Sequence, residues 1–327
     1  MFFMTDLQQI QAPIATELAR FNELLEATLQ HDNPLLHTAL VHILRRKGKQ
    51  MRPTMVLLAA RAAGEVTPEV YHAALSLELL HTASLVHDDV VDESDRRRGQ
   101  ESVNALLDNQ AAVLVGDYIL SKSLQHAAAT QDPRVVTVVA ELGQTLADGE
   151  LLQMHGSDAT DVNEALYYEI IRKKTASLFS ACGQLGALTA GGTEGDVERL
   201  RQYGQLTGMC FQLRDDLFDL TEGVDVGKPV GNDLREGKLT LPLIYALRHC
   251  PDEQMLSAAQ RVRHGEATQE DIDRLTHHAI DQGGIQYAQW SMNELRMMAV
   301  GLVQETPDPA VSAALRSYVD FVVERNS

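Results

Sequence analysis

The chain comprises 327 residues, 44% hydrophobic and 23% charged, which is long enough to bury a large core and excludes a disordered or collagen-like polymer. Asp and Glu number 46 against 28 Lys and Arg, and the formal net charge of −18 repels a polyanionic backbone, so nucleic acid is excluded as a partner. Cys182, Cys210 and Cys250 form no CxxC pair, so neither a zinc ribbon nor a disulfide framework is encoded and a reducing cytoplasm is expected.

Residues 1–6 lack the basic start and apolar run of a secretory signal, and export is not indicated. Helices are expected over roughly 5–30, 34–45, 50–63, 67–91, 102–108, 110–129 and 133–155. The one at 67–91 opens with Thr67 as its cap and Pro68 at the first helical position. Further helices are expected over roughly 163–190, 194–221, 239–249, 252–263, 268–279, 282–304 and 308–325. No alternating strand pattern emerges, aromatic residues are only 5%, and apolar runs such as 135–139 read as buried helix. The uncharged stretch 175–193 approaches membrane length, yet Gln184, several hydroxyls and four glycines dilute it, so it reads as a buried helix ending at the glycines. The fold class is therefore all-α, and no repeat or linker divides residues 1–327, which read as one domain. Loops fall at 93–101, 156–162 and 222–238.

Two acidic motifs dominate the pattern. Asp88, Asp89 and Asp92 form DDxxD at the end of one expected helix, and Asp215, Asp216 and Asp219 repeat it near the end of another. Asp88 and Asp92 lie one helical turn apart, as do Asp215 and Asp219, so each motif aims two carboxylates the same way. Two unit charges about 4 Å apart repel by ~4 kcal/mol at an effective dielectric near 20, so facing clusters need cations between them. Oxygen donors alone select magnesium over zinc, and magnesium completes its shell with water and substrate phosphate. A single such motif is readily a solvated helix end, whereas two, each with basic residues downstream, point to a metal site.

The cations are grouped as well. Arg45, Arg46, Lys47, Lys49 and Arg52 crowd before an expected helix start, which together make an anion site. Arg96, Arg97 and Arg98 follow the first acidic motif, Lys173, Lys174 and Thr175 precede the uncharged helix, and Lys228 and Lys238 follow the second motif. Each run alone is usually a solvated face. Together they fit two anions, one reached through metal and one gripped directly by Lys and Arg. GKLT at 237–240 lacks the GxxxxGK[ST] spacing of a P-loop, so an NTPase is not supported.

GKQMRP at 48–53, HTASLVHDDVVDESDRRRG at 81–99, KKTA at 173–176, FQLRDDLFD at 211–219 and GKPVGNDLREGKLTLP at 227–242 resemble the trans-isoprenyl diphosphate synthases, and within them the long-chain, octaprenyl-type polyprenyl synthases. The resemblance implies an all-helical homodimer whose subunits each enclose a large cavity with the two aspartate motifs on facing walls. It implies head-to-tail elongation, in which an allylic diphosphate loses diphosphate and the alkene of isopentenyl diphosphate attacks the resulting cation. About three Mg²⁺ ions would be held by Asp88, Asp92 and Asp215, with help from Asp89, Asp216 and Asp219. Lys49, Arg52, His81 and Arg98 would hold isopentenyl diphosphate. Arg97, Lys174, Thr175, Gln212, Lys228 and Lys238 would face the allylic diphosphate, with Lys174 and Lys228 among the groups receiving its developing charge. His87 reads as structural. Gln50 stands where the pattern usually has arginine, and Arg214 where it usually has an apolar residue.

Ser84 lies one turn before Asp88 on the same face, flanked by Ala83. In the family, bulky residues there stop chain growth early, so these two small residues imply an open tunnel and a C35–C50 product, of a kind that serves quinone side chains, with farnesyl or geranylgeranyl diphosphate as primer. The tunnel floor is expected from the helix around Val138 and Val139. A C15–C20 synthase, a class I terpene cyclase, a silent regulatory subunit and a divalent-cation buffer are the alternatives. The second DDxxD, Lys49 and Arg52 weigh against the cyclase. All six aspartates weigh against the silent subunit, and a buffer would leave the cations idle. No membrane anchor is visible.

Overall fold

The structure, a computed structural model, describes residues 7–45, 48–97, 99–156, 163–221 and 231–325. The elements run α1 (Leu7–Gln11), a 3₁₀ turn at Ala12–Ile14, α2 (Ala15–Thr28), α3 (Pro34–Leu44), α4 (Met51–Ala63) and α5 (Pro68–Val91). There follow β1 (Arg96–Arg97), β2 (Gln100–Glu101), α6 (Val103–Leu106), α7 (Asn109–Ala129) and α8 (Pro133–Gly156). Next come α9 (Glu164–Ile171), a π-helical turn at Arg172–Ala176, α10 (Ser177–Thr189), α11 (Glu194–Leu220) and α12 (Asn232–Arg235). The chain closes with α13 (Leu241–His249), α14 (Glu253–Arg263), α15 (Gln269–Asp281), α16 (Gly284–Val303) and α17 (Pro309–Glu324).

The all-α expectation holds, with boundaries set by identifiable caps. Asn33 accepts from the N–H groups of Leu35 and Leu36 ahead of Pro34, and Thr193 and Asp196 form a reciprocal capping box at the start of α11. Thr67 precedes α5 as expected but caps nothing with its side chain, because its hydroxyl donates to the carbonyl of Thr189 instead. Several expectations need correction, among them the loop read over 222–238, whose described part holds the short helix α12. The helix read over 5–30 is broken by the 3₁₀ turn that contains Pro13, whose ring removes a backbone donor. The loop read over 93–101 contains a two-residue antiparallel ladder, Arg96 opposite Glu101 and Arg97 opposite Gln100, too short for any alternation to register.

The stretch read as a single helix over 163–190 carries the π turn in its middle, an extra residue per turn that commonly marks a functional site. Beyond it, α10 is the central rod and packs against α4, α5, α8 and α11. Glycines permit the closeness. A Cβ on Gly183 would lie 2.1 Å from the carbonyl oxygen of Leu200, one on Gly186 would lie 2.3 Å from that of Val56, and one on Gly204 would lie 2.2 Å from that of Phe179. These residues hold the backbones of α4, α10 and α11 in contact, and with α5 also on α10 the two aspartate-bearing helices flank one rod. The main core includes Phe21, Met55, Leu75, Phe179, Tyr203 and Tyr318, and a separate cluster of Leu79, Ala83, Val86, Val115 and Ile119 seals α5 to α7.

Gly204→Ala should therefore lower stability by about 3 kcal/mol, since the clash is with backbone that has nowhere to move, whereas Gly301→Ala, which meets nothing within 4 Å, should not. Urea unfolding of the two variants checks this.

Candidate functional site

Helix α5 ends in its acids. Asp88 and Asp89 occupy the last turn and Asp92 is the C-cap, with no basic residue in that turn. The C-terminal end of a helix dipole is negative, so carboxylates gathered there are destabilising unless something positive arrives. Asp88 shares a face with Ser84 and Leu80, the stripe that looks toward α8, where a Cβ on Gly143 would come 3.9 Å from Leu80 Cδ1. Burial, then Glu150 of α8, push the Asp88 carboxyl up to about 6, against the pull of Arg97 and Lys174. Asp89, one position round the helix, is buried and accepts from Arg97 Nε at 2.7 Å. Ala83, one position from Ser84, likewise points elsewhere: it is buried in the α5–α7 cluster rather than beside Ser84, because successive helical residues are about 100° apart. His87 lies over Gly116 of α7, within 3.3 Å of the Val113 carbonyl.

Helix α11 ends the same way, again without a basic residue in its last turn. Each of its three aspartates is held by a different neighbour. Asp215 accepts from Arg325 Nη2 at 2.5 Å. Asp216, buried, accepts from the Tyr167 hydroxyl at 2.5 Å and Gln212 Nε2 at 2.8 Å, and burial holds its carboxyl up at about 6. Asp219 accepts the backbone N–H groups of Asn232 and Asp233 at 2.9 and 3.0 Å, which caps α12. Thr175, in the π turn, donates to Gln212 Oε1 at 2.7 Å, so a chain of bonds runs from Thr175 through Gln212 to Asp216.

Two cavities adjoin these helix ends. One, of about 420 Å³, is lined by Lys174, Thr175, Gln212, Asp216, Asp233 and Lys238, among others. Gly149 of α8 admits the π turn, since a Cβ there would lie 2.9 Å from Lys174 Cγ, and Lys174 Nζ meets Glu150 at 2.7 Å and Gln153 at 2.9 Å. Burial lowers the Lys238 ammonium, but Glu236 at 2.6 Å above all, then Asp233 and Asp92, raise it on balance, and Lys238 in turn acts on Asp216, so it is within electrostatic reach of both acidic motifs. Asp233 is pushed up to about 7 by burial and then by Asp216 and Asp219.

The second cavity, about 410 Å³, is lined by Lys49, Arg52, Glu78, His81, Asp89, Arg97 and Arg325, among others. Arg97, expected beside the allylic group, thus lines the same space as Lys49, Arg52 and His81. Arg52 Nε, Glu78 Oε2 and Arg325 Nε are buried without a partner. Buried donors left unmatched cost about 1–3 kcal/mol each, a cost that an anion in the cavity would offset. Burial first, then Arg325, lower the Lys49 ammonium, and Lys49 Nζ sits 5.7 Å from the Phe321 ring centroid. Gln50, at a left-handed φ of 53°, exchanges amide hydrogen bonds with Asn22. Arg98 and Lys228 lie outside the described residues, as do Arg46 and Lys47.

Sequence reasoning missed Arg325, Glu78, Tyr167 and Asp233. Arg325 stands alone, far from any motif, and no local signal marks it. Glu78 precedes His81 by one turn, and Asp233 lies inside GKPVGNDLREGKLTLP, so both were within reach of a spacing argument. Among the described residues no three His, Cys, Asp or Glu side chains are gathered into a ready-made metal cage.

A polyprenyl synthetase family model matches residues 33–279. The octaprenyl diphosphate synthase of Haemophilus influenzae is 36% identical over 324 residues, covering 99% of this chain and 98% of that one. A crystal structure of geranylgeranyl pyrophosphate synthase from Bacteroides thetaiotaomicron superposes with a TM-score of 0.85 at 43% identity, covering 97% of this chain and 99% of that one. A polyprenyl synthase from Caulobacter crescentus, complexed with calcium and isoprenyl diphosphate, superposes with a TM-score of 0.91 at 30% identity over 100% of both chains.

The raised Asp88 carboxyl makes a stability prediction with a definite sign. Its folded value of about 6 lies above the ordinary 3.8, so the stabilisation it allows is complete below pH 3.8 and is lost as pH rises through 6. In EDTA, Asp88→Asn should be more stable than the parent at pH 7.5 by about 1–2 kcal/mol, after discounting for partial exposure. The gap should narrow steadily toward pH 4, as read by urea unfolding at several pH values.

Proposed function

Since this chain belongs to the polyprenyl synthetase family, and is a prenyl diphosphate synthase by that membership, we propose that it is a long-chain, Mg²⁺-dependent member that adds successive isopentenyl diphosphate units to an allylic diphosphate. The observation that carries this reading is that the end of α11 borders both cavities: Gln212 and Asp216 line the first, while Phe211, the residue before Gln212, lines the second. Two diphosphates held on either side of this turn would have their reacting carbons close together, the condition for a bimolecular condensation.

Asp88, Asp92 and Asp215 would hold the metal, with Asp89, Asp216 and Asp219 beside them. Their oxygen-only donor set suits Mg²⁺, which binds through one or two carboxylates plus substrate phosphates. When bound, the metal supplies positive charge to the departing diphosphate. The chain's own groups do the rest. Lys174, Lys238 and Lys228 face the allylic diphosphate and stabilise the charge that grows as its carbon–oxygen bond breaks. Thr175 and Gln212, tied to each other and to buried Asp216, keep that wall rigid. Lys49, Arg52, His81, Arg97 and Arg98 hold isopentenyl diphosphate, whose alkene attacks the allylic carbon before a proton is lost. No protein nucleophile is needed.

Ser84 supports a long product, since the stripe from Asp88 down toward Leu80 carries no bulky ring and Gly143 faces its lower end. Farnesyl or geranylgeranyl diphosphate would be the primer and an all-trans C35–C50 polyprenyl diphosphate the product, fit for a quinone side chain. A C20 product is the second reading, favoured by the 43% identity to a geranylgeranyl pyrophosphate synthase. We further propose a cytoplasmic homodimer. Exposed Val113, Leu114 and Leu124 on α7 offer an apolar face to a second copy, and no helix among the described residues is long and apolar enough to cross a membrane.

Incubation with farnesyl diphosphate, isopentenyl diphosphate and Mg²⁺, followed by chromatography of the dephosphorylated products, should give chains of C35 or longer. Products stopping at C20 would select the second reading, and no elongation would reject the proposal. In the same assay Ser84→Phe should shorten the product, because a ring one turn below Asp88 would block the stripe. An unchanged distribution would remove Ser84 from the path of the chain.

A further inference from the structure

Arg325 follows α17 and reaches back across the end of α11. Its guanidinium donates through Nη2 to Asp215 Oδ1 at 2.5 Å and to the Phe211 carbonyl at 3.1 Å, and its Cζ lies 3.8 Å from the Phe211 ring centroid. The side chain is only 9% exposed, Nε has no partner, and the group forms part of the wall that also carries Lys49 and Arg52. A residue just past a helix end normally frays, because only the last backbone bonds restrain it.

What restrains this one is Arg214. Its Nε and Nη2 both donate to the carbonyl oxygen of Arg325, at 3.0 and 2.9 Å, and its Cζ lies 4.6 Å from the Phe218 ring centroid. The Arg325 guanidinium sits 5.7 Å from the same ring. Two guanidinium groups share one aromatic side chain in a half-buried setting, where their like charges repel. Arg214 nonetheless spends two of its donors on the Arg325 backbone, and Asp215 neutralises the Arg325 head group. Binding that carbonyl fixes where the Arg325 side chain starts, and the Phe211 ring and Asp215 fix where it ends.

We propose that Arg214 is a positioning residue for the isopentenyl diphosphate cavity: by gripping the Arg325 carbonyl it sets the Arg325 guanidinium in the cavity wall beside Lys49 and Arg52. This rests on the reading above that the second cavity takes isopentenyl diphosphate. Arg214 itself touches no substrate. Its removal loosens a binding cation of the second cavity and reaches the allylic side only through the Arg325–Asp215 pair, so the effect falls chiefly on the affinity for isopentenyl diphosphate.

Steady-state kinetics of the full-length protein test it. Arg214→Leu should raise KM for isopentenyl diphosphate about tenfold, the size expected for losing one charge-assisted contact, with a clearly smaller change in the allylic KM. Arg325→Ala, which removes the guanidinium but leaves the backbone carbonyl that Arg214 grips, should give the same shift, and the double variant should be no worse than Arg325→Ala alone. Arg214→Gln, which keeps one donor for the carbonyl, should fall between. An unchanged isopentenyl KM in Arg214→Leu, an equal rise in the allylic KM, or effects that multiply in the double variant would each overturn the proposal. Failure of the functional reading is distinct, because then the unmutated protein elongates nothing.

Discussion

The structure is organised around an electrostatic conflict. Two long helices, α5 and α11, each finish with three aspartates at the end where the peptide dipoles already concentrate negative charge. A sequence shaped for stability alone would place lysine or arginine there. The conflict is deepened by desolvation: Asp88, Asp216 and Asp233 all have carboxyls held above their ordinary range, and burial is the first cause in each. Such strain persists only where the surrounding fold holds it, and it concentrates at sites that bind something positive.

The fold holds it by assigning separate partners. Asp89 goes to Arg97 of the short hairpin, Asp216 to Tyr167 and Gln212, Asp219 to the backbone of α12, and Asp215 to Arg325. Asp88 differs, because its nearest strong influence in α8 is another acid, Glu150, with Lys174 and Arg97 only partly offsetting it. Asp88 is thus the carboxylate with most to gain from an added cation. Its position depends on α10, whose glycines let α4 and α11 close on it while α5 and α8 also pack there. The proposed metal site therefore traces back to missing Cβ atoms in a helix that carries no charge of its own.

Much of this could be read in the amino-acid order. The all-α class followed from the absence of alternation, and both aspartate motifs and the basic runs stood out by spacing. What escaped was three-dimensional sorting. Arg97 and Lys174 look equivalent along the chain, yet one lines the cavity of Lys49 and Arg52 and the other the cavity of Lys238. Ala83 and Ser84 are adjacent small residues, yet a rotation of about 100° sends one into the α5–α7 interface and leaves the other on the Asp88 face. The π turn at Arg172–Ala176 has no signature in residue type, since its extra residue is accommodated by the neighbouring Gly149 and Gly208 rather than by the turn itself. Arg325 was hidden because its partners are more than a hundred positions away.

The net charge says the opposite of what the proposed site requires. A chain at −18 should repel diphosphates at long range, yet the second cavity presents Lys49, Arg52, Arg97 and Arg325 together. The resolution is one of distance. Beyond roughly 8 Å, salt at physiological strength screens the global charge, while cations lining a half-enclosed cavity act through a medium that screens them far less. Opposing carboxylates are present there too, in Glu26, Glu78 and Asp89, but the four cations outnumber them, so the lining keeps a positive balance. An anion entering this space gains donors already desolvated in place, and the cost of holding those donors apart has been met by the folding of the rest of the chain.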